Sequence, residues 1–319
     1  SYERSSQYGN LLREPIRNID KLLMTFLPVS VVNKYMNYAW KLHKTVPDSI
    51  KMEIKAVADA AGIPYWDLAA INLIPRFLCS GLASWGNTTH DGTMIIGRNA
   101  EYPAFGLEDR GSILCIHHVN EKKQILTVTV IGMLGAFTGF SSDGIFFSNM
   151  LVENAMKDSI NFEGMAIQLQ LRSAAEKASS LQEMISIVSS LKPVIPMNIL
   201  LADSNDAVVI ELGLNDYYIR TADSIPAVCV SNHFRSPSLR DFEIDCPRYN
   251  VMMDDIVQNS GKITVPVVQN ILYDASLRRI NIQAIVVEPA RKKLYLSMNR
   301  VPASKGPYTE IDAAKLFTE

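Results

Sequence analysis

Cysteine is scarce in this chain: Cys79, Cys115, Cys229 and Cys246 are the only four among 319 residues. That is too few for a disulfide scaffold, and it leaves the redox compartment open. An excess of one charge is also missing. The 31 Lys and Arg stand against 33 Asp and Glu, a formal net charge of -2, so there is no electrostatic case for nucleic acid. No stretch approaches the ~18 uninterrupted apolar residues of a membrane span. The longest apolar runs, Asn198 to Ala202 and Ala284 to Val287 with neighbours, have strand length. There is no internal repeat and no low-complexity segment. No Gly-Lys-Ser/Thr loop indicates nucleotide binding, and the glycines around Gly135 lack the dinucleotide pattern. Cys115-x-His117 has some metal-ligand character, but no second pair at zinc spacing accompanies it. Neither a metal nor a cofactor is expected.

What is present reads as a globular chain, with 48% hydrophobic and 20% charged residues. The length suits one large domain or two ordinary ones. The sequence begins at Ser1 without an initiator Met, which is compatible with a removed signal peptide. The compartment reading leans, weakly, to extracytoplasmic. Residues 1–78 read as helical. Leu11, Leu12, Ile16, Ile19, Leu22 and Leu23 recur at helix spacing, and Val31 to His43 gives a second segment. Pro47-Asp48-Ser49 resembles a cap before Ile50 to Ala61. Asp67 to Leu78 makes a last helical run, interrupted at Pro75.

The texture changes at Cys79. Met94 to Gly97, Ile113 to Val119 and Gln124 to Val130 predict strands, with turns at Asp91-Gly92 and Asn120-Glu121. A Gly-rich stretch, Gly132 to Gly139, precedes a strand from Gly144 to Asn149. Gly164 to Leu191 is the clearest helical region of the second half. Strands are then predicted at Asn198 to Ala202, Val208 to Leu212, Tyr217 to Thr221 and Val228 to Ser231. A short helix at Pro266 to Tyr273 precedes a closing strand pair, Ala284 to Glu288 and Lys293 to Met298. This order lacks the strand–helix alternation of a parallel sheet. It predicts an α+β fold of mostly antiparallel sheets covered by helices.

A strand opening on Cys79-Ser-Gly-Leu-Ala-Ser-Trp-Gly, followed by Gly97-Arg98-Asn99-x-Glu101-Tyr-Pro, resembles the N-terminal-nucleophile hydrolases. It is most similar to the penicillin acyltransferase-like (C45) family. Acid ceramidase, N-acylethanolamine acid amidase and choloylglycine (bile salt) hydrolase are more distant. Tyr2-Glu3, Gly9-Asn-Leu-Leu-Arg, Gly132 to Asn149, Asn198-Ile-Leu-Leu-Ala-Asp-Ser, Val230-Ser-Asn-His-Phe234 and Pro302-Ala-Ser extend the resemblance in order along the chain.

The resemblance implies an αββα four-layer sandwich with a helical N-terminal segment. It also implies autocatalytic cleavage between Leu78 and Cys79. The products would be an α-segment, 1–78, and a β-segment, 79–319, which stay associated as one αββα unit. An unperturbed thiol has a pKa near ~8.5, so Cys79 needs activation. Cleavage would supply it, because an α-amine with a pKa near ~7.7–8.0 is a suitable base for its own thiol. Arg98, returned by a hairpin, would favour the thiolate or bind an anionic intermediate. Glu101 stands where the family carries an Asp that contacts the nucleophile's α-amino group, and it is one methylene longer. Asn232, just after a strand, is the candidate oxyanion donor. Asn149 and Arg248 are candidate substrate-binding residues. Asn99 reads as a turn or backbone-bonding residue.

The expected activity is hydrolysis of a linear amide of a small N-acyl compound through a Cys79 thioester. Transfer of the acyl group to an amine is the alternative, and a silent, unprocessed binding protein is a second one, favoured only by Glu101. A Cys79–His233 pair of the papain kind is a weaker reading, since the amine makes a His base unnecessary. Each residue also has a plainer role open to it: a buried inert Cys79, a surface Arg98–Glu101 pair, an Asn232 that only caps a turn, and a surface Arg248.

Overall fold

The computed structural model describes residues 2–73, 77–102, 110–152, 160–240 and 244–318. The chain begins with five helices, α1 (Tyr2–Leu11), α2 (Arg13–Phe26), α3 (Val29–Leu42), α4 (Asp48–Ala61) and α5 (Tyr65–Leu73). In α4 the buried residues Ile50, Ile54, Val57, Ala58 and Ala61 recur at three- and four-residue steps, one apolar stripe. The helix stops at Gly62, whose φ of 72° is the left-handed conformation that a side chain would strain. The expected Asp48/Ser49 cap does not form. Pro47 holds the cap position without a side-chain bond, and Asp48 lies inside the first turn, where a carboxylate favours the helix dipole.

Two antiparallel sheets follow. The second sheet is a meander of β3 (Ser112–Asn120), β4 (Lys123–Val130), β5 (Thr138–Ser141), β6 (Phe146–Leu151), β7 (Met197–Ala202), β8 (Ala207–Leu212) and β9 (Tyr217–Arg220) in chain order. The first sheet draws strands from both ends of the remaining chain: β1 (Leu78–Gly86), β2 (Gly92–Glu101), β10 (Ala227–Val230), β11 (Asn281–Glu288), β12 (Lys293–Met298) and β13 (Thr309–Asp312). Its spatial order is β10-β1-β2-β11-β12-β13. Helices α6 (Ile167–Lys177) and α7 (Leu181–Ser189) interrupt the meander. Helices α8 (Pro247–Gln258) and α9 (Val265–Asp274) lie between β10 and β11 in sequence, and α10 (Ala313–Leu316) follows β13.

The cores define four layers. Met252, Ile256, Val268 and Leu272 of α8 and α9 pack on Leu82, Ile95 and Val286 of the first sheet. Met94, Ile96, Ile285 and Val287 of that sheet meet Leu126, Phe146, Leu200 and Val209 of the second. The outer face of the second sheet, through Phe147, Ile199 and Ile210, packs against the N-terminal helices and α6–α7. This is the αββα sandwich. Among the described residues, no helix is long and apolar enough to cross a membrane.

Several boundaries differ from the sequence expectation. Leu78 does not extend a helix but opens β1, paired with Glu101 of β2, because a short apolar run suits strand or helix until pairing decides. The interruption expected at Pro75 lies outside the described residues. The single helical region Gly164–Leu191 is two helices. Ser180 caps the second, its Oγ accepting from the Glu183 N–H while the Glu183 carboxylate accepts from Ser179 N–H. Strand β5 and helix α8 are additional to the expected elements.

Gly139 on β5 faces Phe147 of β6, and a Cβ built there would stand 2.1 Å from the ring's Cζ. Gly139→Ala is therefore expected to cost about 1–3 kcal/mol through overpacking. Urea unfolding should show a lower midpoint at unchanged slope, with partial recovery on adding Phe147→Leu.

Candidate functional site

Strand alternation decides which side chains meet. Cys79 and Ala83 of β1, Met94, Ile96 and Ala100 of β2, and Ile285 and Val287 of β11 all belong to the inter-sheet core. Arg98 and Gln283 share the parity of these residues and so enter the same layer. Cys79 is fully buried and Arg98 is 1% exposed. The β1–β2 register sets Cys79 opposite Ala100 and Gly81 opposite Arg98. From there Arg98 Nη2 donates to Cys79 Sγ at 3.0 Å, and Nη1 donates to Gln283 Oε1 at 3.4 Å. Arg98 Nε has no hydrogen-bond partner among the described residues. The thiol itself donates toward the Phe77 carbonyl at 3.8 Å, folded back over the chain that precedes it.

Glu101 lies three residues beyond Arg98, so it falls on the opposite face of β2, toward the helices. Its carboxylate accepts from Arg248 Nη2 at 2.6 Å and from Leu277 N–H at 3.3 Å. It makes no hydrogen bond to Cys79. Arg248, in the first turn of α8, also donates through Nη1 to Asn232 Oδ1 at 2.9 Å and through Nε to the Ala275 carbonyl at 3.0 Å. Asn232 Oδ1 accepts in addition from the Cys79 backbone N–H at 3.2 Å, while its Nδ2 donates to the Leu151 carbonyl at 2.6 Å. A guanidinium can only donate and a carbonyl can only accept, so these partners fix which way the amide points.

Five expected site residues, Cys79, Arg98, Glu101, Asn232 and Arg248, thus form one connected network. Arg248 stands in it as a bridge between Glu101 and Asn232 with all three nitrogen positions committed, which differs from the expected substrate contact. Asn149 is not brought in. It shares the face of Phe147 and Leu151 on β6, away from the inter-sheet layer, and no hydrogen bond joins it to the network among the described residues. Ser148 and Met150 occupy the inner face there, the one-residue offset that a period of two makes decisive. Asn99 is not in a turn but inside β2, where Nδ2 donates to the Leu272 carbonyl at 2.7 Å. His233 pairs with Ser231, not with Cys79. Gln283 carries no motif and was not expected. Its only signal was a polar residue on the inner face of a strand that is otherwise apolar.

Burial and neighbouring charges act against each other in this pocket. Burial pushes the Cys79 thiol up from its ordinary value, Arg98 and Arg248 oppose that, and Glu101 adds to it. Burial likewise pushes the Glu101 carboxyl up, against Arg248, the Leu277 N–H and Arg98. No group of three or more His, Cys, Asp or Glu capable of holding a metal occurs among the described residues. A cleft of about 930 Å³ lies between α1 and the edge strand β3, lined by apolar side chains such as Leu12, Ile113, Leu114 and Met133 and also by the charged Arg4, Glu53, Arg172 and Glu176. Thr129 is among its lining residues, and the Thr129 carbonyl accepts from Gln283 Nε2 at 2.9 Å. Gln283 in turn holds Arg98, so one lining residue of the cleft is two hydrogen bonds from the guanidinium at Cys79.

The sequence matches no protein-family model and no curated protein. Solved structures are similar in fold. One is an ortholog of N-acylethanolamine-hydrolyzing acid amidase from Caenorhabditis elegans. Its TM-score is 0.52 at 14% identity, over 66% of this chain and 93% of that one. Another is a mutant of conjugated bile acid hydrolase from Clostridium perfringens, with a TM-score of 0.51 at 13% identity over 74% and 93% of the two chains. The fold is the αββα sandwich of N-terminal-nucleophile hydrolases, as the resemblance of the Cys79 and Arg98 segments implies.

Arg248→Met should leave Glu101 buried without its cation, a loss of about 3–5 kcal/mol near neutral pH. Removing the cation lifts the folded-state pKa of Glu101 further above its unfolded value of ~4.3. The variant's deficit is therefore small while Glu101 is protonated in both proteins and grows as pH rises through the wild type's raised folded-state value. Urea unfolding of wild type and variant at about pH 4 and pH 7.5 measures this; an equal deficit at both pH values would show that Glu101 carries no charge there.

Proposed function

We propose that this chain is a cysteine N-terminal-nucleophile amidohydrolase that cleaves the C–N bond of an N-acyl amide through a Cys79 thioester. One observation carries the reading: at one end of β1, Arg98 sits 3.0 Å from the Cys79 sulfur and Asn232 sits 3.2 Å from the Cys79 nitrogen. A cysteine held at both its thiol and its nitrogen has what a nucleophile with its own amine as base requires. The activities of the two similar structures, an acid amidase and a conjugated bile acid hydrolase, support the same reaction class.

In this mechanism the chain first opens at Leu78–Cys79, giving segments 1–78 and 79–319. They remain together because Ile54, Leu68 and Leu73 of the first are buried against Ile199 and Ile210 of the second. The new α-amine takes the thiol proton, and Asn232 Oδ1 orients that amine. Arg98 offsets the burial that disfavours the thiolate. The sulfur attacks the amide carbonyl. The tetrahedral oxyanion is met by the Arg98 Nε–H, which has no partner among the described residues, and by the second N–H of Asn232 Nδ2, whose first is held by the Leu151 carbonyl. The amine product leaves with the proton from the α-amine, and water then resolves the thioester. Glu101 acts at second hand, through Arg248 and Asn232, so the longer side chain is no obstacle. The acyl group is apolar and occupies the cleft between α1 and β3.

Intact mass with N-terminal sequencing should show a new terminus at Cys79 in the wild type and none in Cys79→Ala. Arg98→Met should lower kcat/KM on an N-acyl amide by about 10²-fold or more. Met133→Trp should raise KM for long acyl chains more than for short ones. A wild type that stays full length yet hydrolyses N-acyl amides contradicts the mechanism.

A further inference from the structure

A second cysteine has a histidine, although the nucleophile does not. Cys246 is the residue from which α8 starts, and Asn250 N–H donates to its carbonyl at 3.0 Å. It is half-buried. Ser231 Oγ lies 3.4 Å from Cys246 Sγ and 2.9 Å from His233 Nδ1. The His233 ring is 4% exposed, and its Nε2 has no conventional hydrogen-bond partner among the described residues. The ring is braced from one side by Tyr249, with centroids 5.8 Å apart at a near-perpendicular 72°. Both Ser231 and His233 are fixed through their carbonyls, which accept from Asn198 Nδ2 of β7 at 2.9 and 2.8 Å. A thiol at the start of a helix, beside a held imidazole and hydroxyl, is the environment that makes cysteine nucleophilic.

We propose that Cys246 is a second reactive thiol of this chain, a site of covalent modification by small electrophiles of the peroxide class. The proton of the thiol passes by way of the Ser231 hydroxyl, which lies between Cys246 Sγ and His233 Nδ1, to His233. The sulfur attacks one oxygen of the peroxide, an S–O bond forms as the O–O bond breaks, and the leaving hydroxide takes the proton from His233 as water. Sulfur is oxidised by two electrons to a sulfenic acid and the peroxide is reduced.

The other three cysteines provide the contrast. Burial pushes Cys115 up to about 11 and Cys229 up to about 12, and Cys79 is also pushed up by burial. For Cys246 burial raises the value as well. The neighbouring His233 imidazole, the Ser231 hydroxyl and the Tyr249 N–H outweigh it and bring the thiol down to about 6. Neighbouring charges are otherwise committed. Arg248 is bound to Glu101, Asp245 accepts from Asn250 Nδ2 at 2.6 Å, and Arg235 lies over the Tyr249 ring at 4.3 Å. An adduct at Cys246 stands two residues from Arg248, at the start of the same helix.

The test uses the full chain carrying Cys79→Ala, so that the first thiol does not compete. Iodoacetamide labelling across about pH 5 to 9, read by peptide mass, should reach half its limiting rate at Cys246 near pH 6. An ordinary thiol has its midpoint near ~8.5. Hydrogen peroxide followed by dimedone should tag Cys246 ahead of Cys115 and Cys229. His233→Asn should move the midpoint up and slow labelling at pH 6.5 by about tenfold, as expected when the thiolate fraction falls. A midpoint near that of an ordinary thiol, equal tagging of Cys115, or a folded His233→Asn chain with unchanged labelling would each overturn the proposal. If His233→Asn does not fold, Ser231→Ala takes its place and the Cys79→Ala midpoint still decides. None of these readouts uses amide hydrolysis, so their failure and a failure of the proposed activity are separable.

Discussion

The Arg248 guanidinium joins three parts of the chain that are far apart in sequence. It reaches Glu101 at the end of β2, Asn232 just after β10, and the Ala275 carbonyl at the end of α9. Glu101 has a fully buried side chain, and a buried carboxylate is tolerable only when a cation and hydrogen bonds replace its water. Arg248 and the Leu277 N–H supply both. The same guanidinium turns the Asn232 amide so that its oxygen faces the Cys79 nitrogen. The geometry at the Cys79 nitrogen is thus set by an ion pair on the far side of the first sheet, while Arg98 holds the thiol itself.

The two faces of β2 divide the labour. Arg98 enters the layer between the sheets with Cys79 and Gln283, and there it opposes the effect of burial on the thiol. Asn99 and Glu101 point to the helical side and tie the strand to α8 and α9. Both positively charged side chains are held from behind by neutral acceptors, Gln283 and the Ala275 carbonyl. With two guanidinium groups and one carboxylate, the pocket favours an additional negative charge, which a thiolate or an oxyanion would supply.

Cys79 and Cys246 show how differently one fold can treat a thiol. Cys79 is enclosed by apolar side chains, and burial dominates its ionisation despite the adjacent Arg98. Cys246 stands at a helix start with His233 and Ser231 as neighbours, and local bonding dominates instead. His233 follows Asn232 directly in the chain, yet Asn232 bonds the Cys79 nitrogen while His233 meets Ser231, the neighbour of Cys246.

Much of the architecture was legible in the sequence because it rests on local periodicity. The stripe of α4, the strands β3, β4, β7 and β8, and the change of texture near Cys79 follow from apolar spacing and turn residues. Leu78 was misread because a short apolar run carries no period of its own. Helix α8 was missed because its buried residues Met252 and Ile256 are too sparse a stripe to stand out. At the site, the residue types and the hairpin return of Arg98 could be read directly, since β1 and β2 are joined by a short turn. The contacts could not. That Glu101 serves Arg248, that Asn232 presents its oxygen to Cys79, that Asn149 faces away and that Gln283 supports Arg98 all depend on register and on which face each strand presents. A single sequence encodes alternation along a strand but not which neighbour it pairs with. The chain alone therefore determined the layers and the cast of side chains, and only the tertiary structure decided who holds whom, because long-range pairing fixes the register that sorts them.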